Sequence, residues 1–369
     1  MFLEALMRAW DEGDAVAPLD PRLPPAATSE LLRTLAPGVI VGPDGERHRI
    51  AGGALVEEGD ALVVATSGSS GEPKAAVLTH AAVDASARAT TRRLGVDPSR
   101  DVWLACLPLA RIGGLGVALR AVLTGTPVVI HNGFDPREVE RAARRGATRV
   151  SLVATALRRM DASRYRTVLL GGAAPPDAVP ANVVTTYGMT ETCGGIVYDG
   201  FPLEGVDVSI ARVVQPVRGG DRLPEGEILL RSPTLLRCYR DGSDPKRSDG
   251  WLATGDGGFV DHEGRLHVSG RLAEVIVTGG EKVWPAAVEE ILSRHREVAE
   301  VAVTGRPDPE WGSRVVAVVV PRHPSDPPTL DDLRAFVAER SAPWAAPKTV
   351  ELVRSLPRLA SGKIDRSRI

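Results

Sequence analysis

The chain has little that would tie it to a nucleic acid, a membrane or an oxidising compartment. Its 45 Lys and Arg residues are matched by 47 Asp and Glu, leaving a net charge of −2. No global field therefore draws it to nucleic acid or an anionic bilayer, and any anion it binds must be met locally. The three cysteines, Cys106, Cys193 and Cys238, are odd in number and widely spaced. Without a C-x-x-C pair they give no zinc or dithiol motif and suit a reduced cytosol, so a soluble cytoplasmic protein is expected. Apolar runs are short. Val315 to Val320 is of strand length, far below the ~20 residues a membrane helix needs. Met1 to Asp11 carries Glu4 and Asp11 with no basic cluster ahead of a long apolar run, so it does not read as a signal peptide. Neither G-x-x-x-x-G-K-[ST] nor a strand-following G-x-G-x-x-G occurs, which sets aside P-loop and Rossmann sites.

What is present is the composition of a globular protein, 43% apolar and 25% charged, in 369 residues that suit one large and one small domain. From Asp60 onward, short β-branched runs (Leu62 to Ala65, Val102 to Leu107, Pro127 to Ile130, Val150 to Val153) alternate with helical stretches at Ala81 to Arg93, Leu115 to Leu123 and Pro136 to Arg145. That alternation is an α/β signature, and Pro136 behind a capping Asp135 marks a helix start. After Trp251, glycines 255, 257, 258, 264 and 270 are expected to mark tight turns between short strands. The order that follows is helix (Pro285 to Arg296), two strands (Val298 to Val303, Val315 to Val320), helix (Leu330 to Arg340) and strand (Thr349 to Val353), a small α+β module. The boundary is placed at Arg271 to Glu274, giving domains 1–271 and 272–369.

Five segments carry chemistry. Thr66-Ser67-Gly68-Ser69-Ser70-Gly71-Glu72-Pro73-Lys74, directly after an apolar strand, combines hydroxyls, a glycine-rich turn and one lysine, as a polyphosphate requires. Thr186-Tyr187-Gly188-Met189-Thr190-Glu191-Thr192 follows the strand Asn182 to Thr185 and offers an aromatic to stack a base and a carboxylate for Mg²⁺. Trp251 to Asp256 places a carboxylate where it can accept ribose hydroxyls. Thr278-Gly279-Gly280-Glu281-Lys282 is a turn with room for a thin substrate arm. Pro357 to Arg366 is a glycine-hinged basic tail that contains Lys363. Each alone also reads as an ordinary surface loop.

Together and in this order, the five segments resemble the adenylate-forming superfamily of acyl-CoA synthetases, carrier-protein adenylation domains and luciferases, from about Asp60 to the C-terminus. The resemblance implies a large N-terminal α/β domain and a small, mobile α+β C-terminal domain. It also implies ATP, Mg²⁺ and coenzyme A. By the same resemblance, Thr66, Ser67, Gly68, Ser69, Ser70, Gly71 and Lys74 form the phosphate loop, and Gly171, Gly172 and Ala173 lie beside an adenine stacked on Tyr187, next to Gly188. Thr190 meets the α-phosphate, Glu191 the metal, and Asp256 with Arg271 the ribose. Lys363 bridges carboxylate and α-phosphate during adenylation, and Gly279 and Gly280 border the pantetheine path. Ser70 replaces the usual Thr, Ala75 the usual Gly and Ala273 the usual hinge Asp or Lys, while Arg111 stands where many members carry His.

The run Tyr187 to Gly200, and the short region before Asp60, are similar to the actinobacterial-type o-succinylbenzoate-CoA ligases of menaquinone biosynthesis. That acid has two carboxylates, one activated and one recognised, so a pocket cation is expected. Arg111 is the candidate, with Gly113 and Met189 beside it. The alternative function is an acyl or aryl acid adenylating enzyme that loads a carrier-protein phosphopantetheine. Expected partners are the carboxylic acid, ATP and CoA, with no nucleic acid and no membrane; a homodimer is compatible.

Overall fold

A computed structural model describes residues 2–42, 44–66, 74–173, 178–212, 225–358 and 364–369. The chain packs as two compact units: 1–209 with 229–253 and 264–266, and 210–228 with 254–263 and 267–369. Among the described residues no helix is long and apolar enough to cross a membrane.

The first unit is built around a seven-stranded sheet. Five of its strands run parallel, in the order Val183–Met189, Thr167–Leu170, Arg149–Leu152, Trp103–Ala105 and Val128–Ile130. Gly194–Tyr198 and Phe201–Pro202 extend the first edge antiparallel. The connecting helices begin where local chemistry dictates. Thr79 caps His80–Leu94 by accepting the Ala82 N–H at 3.1 Å, and Asp135 caps Pro136–Arg144 by accepting the Glu138 N–H at 3.0 Å. A separate three-stranded sheet pairs Asp60–Thr66 with Lys74–Thr79, and the latter with Cys238–Tyr239. Its apolar residues Leu62, Val64, Ala76 and Leu78 are fully buried with Leu115 and Leu119 of helix Ile112–Leu123.

The second unit holds a five-stranded sheet in which Val298–Asp308 and Gly312–Pro321 form a long hairpin and Thr349–Leu352 joins Gly312–Pro321 in parallel. Helices Pro285–Ser293 and Leu330–Ala338 cover it through Val288, Leu292, Leu333 and Val337. The helix-strand-strand-helix-strand order is as expected from the sequence.

Two expectations require correction. The strand read as Asn182 to Thr185 runs on to Met189, because Tyr187 and Gly188 pair with Val197 and Gly195. Of the glycines read as turns, only Gly264 lies in one; Gly255, Gly257 and Gly258 lie inside strand Leu252–Val260 and Gly270 inside Leu266–Arg271. Gly257 and Gly258 are there for clearance, whereas Gly255 and Gly270 take positive φ of 71° and 142°. A Cβ on Gly257 would sit 2.2 Å from the Trp284 ring, so the missing side chain makes room for the indole.

Candidate active site

The parallel strands of the first unit deliver the predicted residues at their carboxyl ends, where open α/β sheets bind ligands. Gly171, Gly172 and Ala173 follow strand Thr167–Leu170 directly. Leu170 is in register with Thr185 of the neighbouring strand, which brings this strip beside Thr186 and Tyr187. A Cβ on Gly171 would approach the Thr186 hydroxyl to 2.6 Å. Gly188 has a packing reason of its own, since a Cβ there would meet the Gly194 carbonyl oxygen at 2.0 Å.

Thr190–Thr192 forms a single 3₁₀ turn after that strand. The buried Thr192 hydroxyl accepts the Met189 N–H at 2.9 Å, pinning the turn that aims Glu191. The Met189 side chain packs partly against the apolar cluster of Leu115 and Leu119. Glu191 accepts a hydrogen bond from the Tyr239 hydroxyl at 3.0 Å, and its backbone carbonyl accepts the Leu236 N–H at 2.7 Å.

Thr66 and Lys74 are cross-strand partners, so the two feet of the phosphate-loop segment are held together. The loop residues Ser67, Gly68, Ser69, Ser70 and Gly71 lie outside the described residues, as does Lys363. The Lys74 ammonium stands 4.7 Å from the centroid of the Tyr239 ring. Lys74 and Glu191, distant in sequence, thus meet on one tyrosine. Among the described residues no cluster of three or more His, Cys, Asp or Glu side chains forms a metal cage. One protein carboxylate completed by phosphate oxygens is the donor set that suits Mg²⁺.

In the second unit, Asp256 is buried in mid-strand rather than after a tight turn, and Arg271 reaches it with Nε at 3.1 Å. Arg271 also donates from Nη1 to the Thr254 carbonyl at 2.9 Å. Gly279 and Gly280, with φ of 59° and 85°, form the two-residue turn of the hairpin Ile276–Thr278 and Glu281–Val283. Only a residue tolerant of positive φ fits both turn positions. Ala273 lies in the 3₁₀ turn Leu272–Glu274 just after Arg271.

Arg111 is half-buried at the N-cap of helix Ile112–Leu123, with Gly113 exposed in its first turn. Farther along that helix lies a cation not singled out from the sequence. Arg120 is 9% exposed, and its Nε and Nη1 atoms have no hydrogen-bond partner. Its guanidinium carbon lies 4.9 Å from the centroid of the Trp103 ring. Burial pushes its pKa below the usual arginine range, yet a guanidinium keeps its proton in a protein, so the charge remains and calls for an anion. Nearby Cys193 supplies none, because burial pushes its thiol up to about 12. The sequence signal was one arginine within the otherwise apolar run Leu115 to Leu123. Tyr239 was also missed; its place between two arginines was the only hint.

Known proteins resemble this chain in sequence and fold. The model of the AMP-binding enzymes matches residues 55–240, and that of the AMP-binding enzyme C-terminal domain matches 287–363. A probable 2-succinylbenzoate–CoA ligase of Mycobacterium tuberculosis is 40% identical over 340 residues, covering 85% of each chain. The o-succinylbenzoate CoA synthetase of Bacillus subtilis, solved in complex with its acyl-adenylate intermediate, is 28% identical with a TM-score of 0.77, over 100% of this chain and 80% of that one. The same synthetase with ATP and a magnesium ion gives a TM-score of 0.76 at 28% identity, over 100% and 82%. A two-part match of this extent, on top of the geometry above, makes the chain a member of the AMP-binding enzyme family.

Proposed function

We propose that the chain is an ATP-dependent 2-succinylbenzoate–CoA ligase acting in menaquinone biosynthesis in the cytoplasm. In the first half-reaction a substrate carboxylate oxygen attacks the α-phosphorus of ATP, the bond to the β-phosphate breaks, and pyrophosphate leaves. In the second, the CoA thiol attacks the acyl carbon, loses its proton and displaces AMP. Residues 1–271 hold nucleotide and acid, and 272–369 bring Lys363 to the carboxylate and α-phosphate.

The role of each residue follows from charge. The segment Thr66 to Lys74 takes the phosphates, with Lys74 as its cation. Tyr187 and the strip Gly171 to Ala173 sandwich the adenine, and Asp256 with Arg271 takes the ribose. Thr190 contacts the α-phosphate. Glu191 holds Mg²⁺, which when bound offsets the charge of the polyphosphate. Lys363 meets the negative charge that grows at the α-phosphate as the carboxylate attacks, so it favours the transition state over the ground state. Gly279 and Gly280 leave room for the pantetheine arm.

The single observation that favours a diacid is Arg120. A buried guanidinium without an anion is costly, and a second carboxylate on the substrate removes that cost. Its helix begins at Arg111 and packs against strand Gly194–Tyr198, which follows the turn that carries Glu191. Met189 and Gly113 then border the acid's path. Pyrophosphate release measured over a panel of acids tests the reading. 2-Succinylbenzoate should be preferred over benzoate and over simple fatty acids by at least about a hundredfold in kcat/KM, the size expected for losing a buried charge pair. Equal rates with benzoate would remove the substrate assignment.

A further inference from the structure

Tyr239 has a place in this site that the roles above do not use. Its backbone is held tightly. Strand Cys238–Tyr239 pairs with Val77 and Ala76, and a turn follows in which the Tyr239 N–H donates to the Ser243 carbonyl at 2.8 Å and its carbonyl accepts the Gly242 N–H at 2.9 Å. On one side, Arg237 grips buried Asp60 with two bonds, Nε to Oδ1 at 2.8 Å and Nη2 to Oδ2 at 2.9 Å. On the other, Arg240 donates to the backbone carbonyls of Leu35 and Leu55 at 3.0 and 2.8 Å. The ring projects from a fixed base.

That ring separates two opposite charges. Its face carries the Lys74 ammonium at 4.7 Å, and its hydroxyl donates to Glu191 Oε1 at 3.0 Å. An unscreened ammonium and carboxylate this close in space attract each other, and a direct ion pair would satisfy each with the other. Neither would then be free for a phosphate or a metal. An aromatic face attracts a cation weakly, and a phenol orients a carboxylate without neutralising it. We propose that Tyr239 is a positioning residue that keeps Lys74 and Glu191 apart and aimed, Lys74 for phosphate and Glu191 for the divalent cation. The proposal rests on the nucleotide reading given above.

The test is equilibrium binding of ATP by calorimetry, with no acid present, in EDTA and across a Mg²⁺ titration. Tyr239→Phe keeps the ring face and loses the hydroxyl. It should bind ATP in EDTA within about twofold of wild type, while the Mg²⁺ concentration for half-maximal enhancement rises about tenfold, the scale of one hydrogen bond to a charged group. Tyr239→Leu removes the separator, so ATP affinity should fall in EDTA as well, and the double variant Tyr239→Leu/Glu191→Gln should recover the metal-free affinity because Lys74 is released. A residue with a merely structural role would give neither the split nor the recovery. Wild-type-like Mg²⁺ dependence in Tyr239→Phe, or equal losses with and without metal that the double variant does not restore, would overturn the proposal. Failure of the wild type to bind ATP would overturn the nucleotide reading itself.

Discussion

At the scale of single residues, the proposed preference for a diacid turns on which arginine would face the second carboxylate. Arg111 was legible from the sequence because it stands where relatives carry His. Arg120 was not, since a lone arginine on an apolar helix ordinarily snorkels to solvent, and only the packing against Trp103 reveals that this one does not. Arg120→Met should raise KM for 2-succinylbenzoate by roughly thirtyfold to several thousandfold, the range for a buried charge-assisted pair, and leave KM for ATP nearly unchanged. Arg111→Ala, at a half-buried position, should cost about tenfold or less. Steady-state kinetics with 2-succinylbenzoate and with benzoate checks both. If Arg111→Ala is the severe variant, the deep cation is structural and the recognition lies at the head of the helix. Tyr187, Glu191, Asp256 and Arg271 were singled out through the family resemblance of the five segments; Tyr239 was not, because its contacts with Glu191 and Lys74 appear only in the fold.

At the scale of elements, the parallel strands and their helices could be read from β-branched runs and from the Asp135 cap, while the glycines after Trp251 misled. Glycine serves both turns and close packing, and the sequence does not show that Trp284 needs the space above Gly257. Nor could it show how adjacent strands are tied. Asp101, just before strand Trp103–Ala105, is fully buried and bonds to Arg149 at 2.9 Å and to the Thr148 hydroxyl at 3.0 Å, both at the start of the next strand. Burial alone would raise its pKa, but the bonds from Arg149, the Asp97 N–H and Thr148 outweigh it and hold the carboxyl below its usual range. A depressed folded pKa contributes stability above the unfolded value of ~3.9, and that contribution is lost as pH falls through the folded value. Asp101→Asn should therefore cost about 3–5 kcal/mol near neutral pH, as for a broken buried pair, and should lose less of its remaining stability than wild type on acidification below about pH 4. Chemical denaturation at pH 7 and pH 3 checks this. A variant within about 1 kcal/mol of wild type at pH 7 would show that the pair contributes no net stability.

At the scale of the whole molecule, the order of motifs along the chain made the family legible in the sequence. Lys74, Tyr187 and Glu191 belong to the first compact unit, and Asp256 and Arg271 to the second. What the order could not convey was the buried Arg120 over Trp103 and the tyrosine between Lys74 and Glu191, because both depend on contacts between residues far apart in sequence. The central claim is that one protein adenylates 2-succinylbenzoate and then passes the acyl group to CoA. The direct measurement incubates purified protein with 2-succinylbenzoate, ATP and Mg²⁺, quantifies nucleotides and pyrophosphate, then adds CoA and identifies the products by mass spectrometry. Before CoA, pyrophosphate should appear in a burst equal to the enzyme concentration, with acyl-adenylate bound. After CoA, AMP and 2-succinylbenzoyl-CoA should accumulate in equal amounts with turnover. Formation of ADP in place of AMP and pyrophosphate, or an acyl-adenylate that CoA does not convert to thioester, would contradict the account.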